Sequence, residues 1–399
     1  MNKNIYFYYP SHVIGGAELL FSRIANYLAS LNYNVGYIGF KDDIVLSLLN
    51  LKVNFIITSD IIALPDNSVI ITHPARCFEI PKIITNKTNY LFWVLHIDEL
   101  KHINQFYKLN NIYTKKVIAK MIKHKALVDI DKQTTQTIEY FSKTKMTYES
   151  KIPVMLNNCC FKIRKKLLFQ NVINLAWIGR LSQDKIYSLI NILYNLENIS
   201  LKNTEIYFHI IGDGECNHKL KKTYNNFHII QHKTIAPNQL SSFLIQHVDL
   251  VFAYGTSLLE AEKLGIPTIA PYYTTNKTFS NEFVWGFNLK DYCLAPINKE
   301  WYSNDTNTIE NLLNNFMENI QFHSTQAREH FENFTLDKQI NLFLQSVNRT
   351  TFSNNTYLKL YKLRKIYILK NLNFKNKIRL KIYYYIYKIL KKKGLIFYD

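Results

Sequence analysis

The sequence predicts an α/β protein with two Rossmann-like, doubly wound domains and a basic helical tail at its C-terminus. Its 399 residues exceed the roughly 250 to 300 residues that one hydrophobic core usually serves. Short apolar runs alternate with segments of helical periodicity, as in βαβ units. The alternation restarts near residues 160–170, so we predict domains at 1–165 and 166–350 and a tail at 351–399.

The composition indicates a folded protein of a reducing compartment. Hydrophobic residues make up 47% and charged residues 20%, which is enough apolar material for two cores. The five cysteines form no CxxC pair and show no zinc-ligand spacing, so we interpret them as reduced thiols. Neither a signal peptide nor a run of about 18 apolar residues is visible, and we therefore expect a cytoplasmic protein.

The apolar runs are predicted to be buried parallel strands. In the first domain a glycine turn and a helix, residues 15–31, follow the first strand, because Leu20, Ile24 and Leu28 recur at helical spacing. A last helix is expected within residues 335–347. The predicted strands are 4–9, 35–40, 53–58, 69–72, 91–96 and 126–130 in the first domain, and 173–178, 206–211, 228–231, 250–253 and 268–270 in the second.

Positive charge is concentrated in the tail. Residues 351–399 contain 13 Lys and Arg against one acid, which accounts for 12 of the 19 net positive charges of the chain. A helix over residues 377–393 would carry an apolar stripe flanked by lysines, which favours docking on an anionic membrane surface. Nucleic-acid binding and a solvated helix are the alternatives. We expect the two domains to fold without residues 351–399.

Two segments at predicted strand ends contain residues suited to bind phosphate. Gly15 and Gly16 join the first strand to its helix, where backbone can approach a ligand closely. Arg180 and Lys185 follow the first strand of the second domain, where both cations could reach one diphosphate. The turn at residues 211–214 lacks the third glycine of a dinucleotide site, which argues against NAD.

The most informative segment is residues 249–261. Gly255, Thr256 and Ser257 would begin a helix and present backbone N–H groups to phosphate. Glu260, one turn later, could accept hydrogen bonds from the hydroxyls of a ribose. The sequence alone leaves a solvated helix residue as the alternative for Glu260.

Two further positions are candidates. His96 ends a predicted strand, and His73 is a weaker rival for the same kind of role. Asp129 and Asp131 have the DxD spacing of some metal sites, but Asp131 precedes a predicted helix and is interpreted as its N-cap. We predict no metal.

In this order, the segments resemble the retaining glycosyltransferases of family 4, also called glycosyltransferase group 1, over residues 3–345. Their GT-B fold has two facing Rossmann-like domains. The resemblance implies an N-terminal acceptor domain and a C-terminal domain for the nucleotide sugar, with no cofactor beyond this donor. It further implies that Arg180 and Lys185 hold the diphosphate, that Glu260 binds the ribose and that His96 faces the donor sugar.

One element departs from that family. Its E-x7-E motif would place a first glutamate at Phe252, so this chain lacks the residue that makes the family's usual contact to the donor hexose. The segment from Tyr254 to Glu260 is similar to a surface-polysaccharide subgroup, which implies transfer to a saccharide or lipid-linked acceptor in lipopolysaccharide or capsule biosynthesis. The alternatives are a nucleotide-sugar epimerase or phosphorylase of similar fold, and a non-catalytic membrane- or nucleic-acid-binding protein.

Overall fold

The computed structural model describes residues 3–371 except 86, 98, 159–170, 202, 222, 278 and 302–305. It confirms the α/β class: two six-stranded sheets, each covered by helices. The predicted change of domain at 160–170 lies outside the described residues. In chain order the first half contains β1 (Asn4–Tyr8), α1 (Gly16–Ser30), β2 (Val35–Gly39), β3 (Asn54–Ile57), β4 (Ile61–Ile62), β5 (Ser68–Thr72), β6 (Lys82–Ile83), β7 (Asn89–Val94), α2 (Glu99–Tyr107), α3 (Asn111–Lys123), β8 (Leu127–Asp129) and α4 (Lys132–Ser142).

The first sheet is wholly parallel and has the order β3-β2-β1-β5-β7-β8. Each of the six apolar runs predicted for this domain overlaps one of its strands. The strand order reverses at β1, next to β5, which creates a crevice at the carboxyl ends of these two strands. The short parallel pair of β4 and β6 was not predicted, because two-residue strands leave no periodic pattern.

The second sheet has the order β11-β10-β9-β12-β13-β14 and is parallel except for its last pair. All five strands predicted for this domain are present. The second half contains β9 (Val172–Ile178), α5 (Ile186–Glu197), β10 (Glu205–Ile211), β11 (His228–His232), α6 (Pro237–His247), β12 (Leu250–Ala253), α7 (Gly255–Glu262), β13 (Thr268–Ala270), β14 (Val284–Trp285), α8 (Ile309–Glu318), α9 (Ile320–Glu332), α10 (Leu336–Arg349) and α11 (Asn354–Asn371).

The last two described helices return to the first domain. Phe343 of α10 stacks on Phe7 of β1 at 6.0 Å between ring centroids, and its ring lies 5.9 Å from that of Trp93 in β7. The helix predicted at 335–347 is therefore present, and it packs on the first sheet.

The described part of the tail packs on the first domain, which argues against the expectation that the two domains fold without residues 351–399. Phe352 and Tyr357 are buried in the core of the first domain, and the Tyr357 hydroxyl donates to the Ile80 carbonyl. Asn354 is also buried and accepts a hydrogen bond from Tyr90. The helix predicted at 377–393 lies outside the described residues. None of the helices described is both long enough and apolar enough to span a bilayer.

Candidate functional site

Three loops of the second domain emerge side by side at the carboxyl edge of its sheet. In the strand register Ile178 of β9 pairs with Ile211 of β10 on one side and with Ala253 of β12 on the other. Gly212 has a φ of +141°, and a Cβ there would stand 2.1 Å from the Gly179 carbonyl oxygen. The glycine is needed because the loop after β10 presses directly on the loop after β9.

The loop after β9 contains both predicted diphosphate ligands. Arg180 is exposed, whereas Lys185 is half-buried at the N-terminus of α5 and its side chain makes no capping hydrogen bond. Burial lowers the pKa of the Lys185 ammonium, and the charge of Arg180 lowers it further, while Asp184 opposes both. The loop therefore gathers two cations at the edge of the sheet, and an anion bound between them would relieve their repulsion.

The helix predicted after Gly255 is α7, and it begins at Gly255 itself. The Gly255 N–H donates to the Leu294 carbonyl at 3.0 Å, so this group is already engaged. The next backbone N–H groups, those of Thr256 and Ser257, would then donate hydrogen bonds to a phosphate.

The glycine turn of the first domain meets this helix across the cleft. A Cβ on Gly16 would stand 3.6 Å from the Thr256 hydroxyl oxygen. Gly15 immediately precedes α1 with φ −139°, an extended conformation open to any residue. Two segments that lie about 240 residues apart in the chain are therefore brought into contact where the two domains meet.

Glu260 is bound by two cations, one from each domain. Arg23 Nη2 lies 2.7 Å from Oε1 and Lys263 Nζ lies 2.6 Å from Oε2. Burial alone would raise the pKa of the Glu260 carboxyl, but the charges of Arg23 and Lys263 outweigh it and hold this pKa below its usual value. Arg23 was not predicted from the sequence, because nothing there distinguishes it from the solvent-facing residues of an amphipathic helix.

His96 also lies where the two domains meet. Its ring packs edge-on against Tyr273 of the second domain, with 5.3 Å between centroids. His73, the weaker rival, instead lines a cavity of about 230 Å³ in the first domain and contacts Glu99. Tyr9 and Arg76 line this cavity too, and they were not predicted; all four residues follow or lie near the carboxyl ends of β1, β5 and β7.

The DxD pair serves the local fold. Asp131 caps α4 by accepting a hydrogen bond from the Thr134 N–H at 2.6 Å, as predicted. Asp129 is buried and accepts hydrogen bonds from Thr135 at 3.0 Å and Ser150 at 2.8 Å. Burial raises the pKa of Asp129 to about 7 and that of Asp131 to about 6. Across the described ranges no three His, Cys, Asp or Glu side chains are arranged to hold a metal ion.

Phe252 occupies the position of the missing glutamate. It is fully buried in β12, with its ring 6.0 Å from that of Phe208 and 6.4 Å from that of Phe283. A carboxylate at this point would lie in the apolar core, so position 252 does not contribute a polar group to the cleft.

Comparisons with known proteins give structural likeness without sequence likeness. No protein-family model matches the chain, and no curated protein does. The chain is similar to the lipopolysaccharide outer core galactosyltransferase WaaB in its apo form, with 12% identity and a TM-score of 0.52 over 86% of this chain and 98% of that one. It is also similar to a glycosyltransferase from Rickettsia africae, with 16% identity and a TM-score of 0.52 over 93% and 100% of the two chains.

A third structure is an alpha-glucosyltransferase (AGT) in complex with UDP, with 8% identity and a TM-score of 0.51 over 86% of this chain and 99% of that one. At such identities the comparisons establish the fold alone. The chain has the GT-B fold, with two facing Rossmann-like domains and a helical C-terminal segment.

Proposed function

We propose that this chain is a retaining glycosyltransferase, which moves a sugar from a nucleotide-diphosphate-sugar to a saccharide or lipid-linked acceptor in bacterial surface polysaccharide biosynthesis. The observation that supports this most is that Gly16 meets Thr256 and Arg23 pairs with Glu260, both where the first domain faces the start of α7. Three of these four residues were singled out from the sequence separately. A donor bound there would touch both domains.

Each side chain has a distinct task in this proposal. Arg180, Lys185 and the N–H groups of Thr256 and Ser257 hold the diphosphate, and Glu260 accepts hydrogen bonds from the ribose. His96 orients the donor sugar from the opposite wall. As the bond between the anomeric carbon and the diphosphate oxygen breaks, negative charge builds on the diphosphate, and the two cations stabilise it.

The proposed chemistry balances without a cofactor. The acceptor hydroxyl oxygen attacks the anomeric carbon on the face that the diphosphate leaves. Its proton passes to an oxygen of the departing diphosphate, so the products are the glycoside and a nucleoside diphosphate. Because the acceptor must approach from the first domain, the cavity beside His73 is the proposed acceptor side.

The name of one structural neighbour, a lipopolysaccharide outer core galactosyltransferase, agrees with this pathway. The alternatives, an epimerase, a phosphorylase or a non-catalytic binding protein, predict different products. A panel of nucleotide sugars is first screened for thermal stabilisation of the full chain. The donor that stabilises it is then incubated with candidate saccharide acceptors, and release of nucleoside diphosphate is measured.

Release that depends on the acceptor supports a transferase, and NMR of the anomeric proton then tests retention. Donor interconversion without an acceptor would favour an epimerase, and a requirement for inorganic phosphate would favour a phosphorylase. Binding without turnover across the panel would favour the non-catalytic alternative.

We further propose that the chain is cytoplasmic and peripheral on the inner face of the cytoplasmic membrane. Since α11 packs on the first domain, the docking segment is narrowed to residues 372–399, which contain eight Lys and Arg against one acid. Sedimentation with anionic vesicles should exceed that with neutral ones and should fall with salt, because exposed charges are screened over about 8 Å at physiological ionic strength. Retention of RNA with no vesicle binding would reverse this proposal.

A further inference from the structure

A groove with a cavity volume of about 1330 Å³ runs between α11 and the first domain. Much of its surface is apolar or aromatic, from Phe40, Ile61, Phe78, Tyr357, Leu358 and Tyr361. Ile61 is 52% exposed, so an apolar side chain here faces open space. Such a groove would bind a hydrocarbon chain by removing its methylene groups from water.

Lysines border the same groove. Lys362 and Lys365 of α11 are exposed and lie on its rim, together with Lys82. Two acids also line it, Asp60 and Glu79, but the Glu79 carboxylate is paired with Arg76 at 3.1 Å. The combination of an apolar lining and unbalanced positive charge fits an amphiphile with an anionic head.

The groove leads toward the proposed acceptor side. Glu79 lines both this groove and the smaller cavity that contains His73 and Arg76. A molecule lying along the groove could therefore present its head to the carboxyl ends of β1, β5 and β7. Charge argues against the tail as the occupant, because residues 372–399 would place their own excess of positive charge beside Lys362 and Lys365.

We infer that this groove holds the hydrocarbon chain of a lipid-linked acceptor, with its phosphate at Lys362 and Lys365 and its saccharide directed to the cavity beside His73. The inference rests on the proposed function, and it adds where the lipid part of the acceptor is held. The occupant is a lipid phosphate. Free phosphate would lack the apolar contacts, and a neutral lipid would lack the charge.

The probe is an alkyl phosphate with a diazirine at the end of its chain, used on the full-length protein. Irradiation followed by peptide mass spectrometry should place the label on the groove. Labelling should fall about tenfold in Ile61→Asp, because a charged side chain would replace an apolar contact to the alkyl chain. It should fall about 30-fold in the double variant Lys362→Glu with Lys365→Glu, since each lysine near an anionic head is worth about 1 kcal/mol. Matched controls are Leu46→Asp, whose side chain is 46% exposed, and Lys359→Glu, which is exposed on α11 away from the groove.

Unchanged labelling in the controls, with competition by unlabelled alkyl phosphate but not by inorganic phosphate or the matching alcohol, supports the inference. Label elsewhere, equal loss in the controls, or competition by inorganic phosphate would overturn it. So would a groove left unlabelled because the tail or a second copy fills it. Thermal unfolding of each variant checks that these exposed substitutions leave the fold intact.

The outcome is separable from that of the proposed function. Acceptor-dependent turnover with a water-soluble saccharide, together with no label in the groove, would contradict the lipid site and leave the proposed transferase function supported. A labelled groove in a chain that binds no nucleotide sugar would support the lipid site and contradict the transferase.

Discussion

Arg23 of α1 and Glu260 of α7 form an ion pair between the two domains, with 2.7 Å between Nη2 and Oε1. Both side chains are less than one-fifth exposed, so the pair is only partly screened by water. Lys263 holds the other carboxylate oxygen. The carboxylate proposed to bind ribose is therefore charged and oriented before any donor arrives.

Replacing Glu260 by Gln should raise the KM for the donor by about tenfold and change kcat little. The ribose is remote from the bond that breaks, so its hydrogen bonds contribute equally to the ground state and the transition state. Steady-state kinetics at varied donor concentration measures the changes in KM and kcat separately. Glu329→Gln, an exposed substitution on α9, is the control. An unchanged KM in Glu260→Gln would remove the ribose assignment.

Arg180→Ala and Lys185→Ala should each lower kcat by about 100-fold or more, the scale seen when one preorganised charge-stabilising group is removed. Stability should change little in Lys185→Ala, because that side chain does not cap α5. Activity and thermal unfolding are measured together. Lys221→Ala, which removes an exposed lysine paired with Glu197, is the matched control. Near-normal turnover in both site variants would exclude the diphosphate role.

Asp131→Ala should lower the free energy of unfolding by about 1 kcal/mol, the usual cost of losing an N-cap. Its carboxylate bonds the Thr134 N–H at the start of α4, and we assign it no metal. Urea titration measures the loss. Activity of the wild type should survive EDTA; strict dependence on a divalent ion that this substitution abolishes would show that the DxD pair binds metal.

Asp129 should make stability fall as pH rises from about 4 to about 7. Burial raises the pKa of its carboxyl from 3.8 to about 7, so the folded state binds more protons than the unfolded state in this window. One proton corresponds to a slope of at most about 1.4 kcal/mol per pH unit.

Urea titrations across this pH range should show a smaller loss in Asp129→Asn than in the wild type. Asp66→Asn is the control and should leave this slope unchanged, because the hydrogen bond from Lys87 lowers the pKa of the Asp66 carboxyl below 3.8, so that this group titrates below the pH range tested. Parallel curves for the wild type and Asp129→Asn would contradict the raised pKa.

Truncation after Thr350 should unfold or severely destabilise the chain, whereas truncation after Asn371 should leave a folded, donor-binding protein. The shorter chain loses buried Phe352 and Tyr357, and a buried aromatic side chain is worth about 3 to 5 kcal/mol against a total stability of about 5 to 15 kcal/mol. Thermal unfolding and donor binding distinguish the two. Phe352→Ala in the full chain should reproduce part of the loss of stability. A stable chain that ends at Thr350 would contradict this prediction.

The parallel strands were predictable because a strand that is buried on both faces needs a continuous apolar run. Such runs, for example residues 4–9 and 173–178, are visible within a short stretch of sequence. The Asp131 cap was predictable for the same reason, since it acts within one turn of its own helix. Two features were not predictable from the sequence: the pairing of β4 with β6, and the packing of residues 354–371 on the first domain. An apolar and basic helix has the same sequence pattern whether it binds a membrane or packs against a protein core.

Local pattern therefore determined the two doubly wound domains and the residues at their strand ends, because helix and strand periodicity and loop chemistry depend on near neighbours in the chain. Tertiary structure alone decided that Arg23 would hold Glu260, that Thr256 would meet Gly16, and that α11 would complete the first core. Those contacts join segments far apart in the sequence, and their geometry depends on how whole sheets and helices pack, which no short segment records.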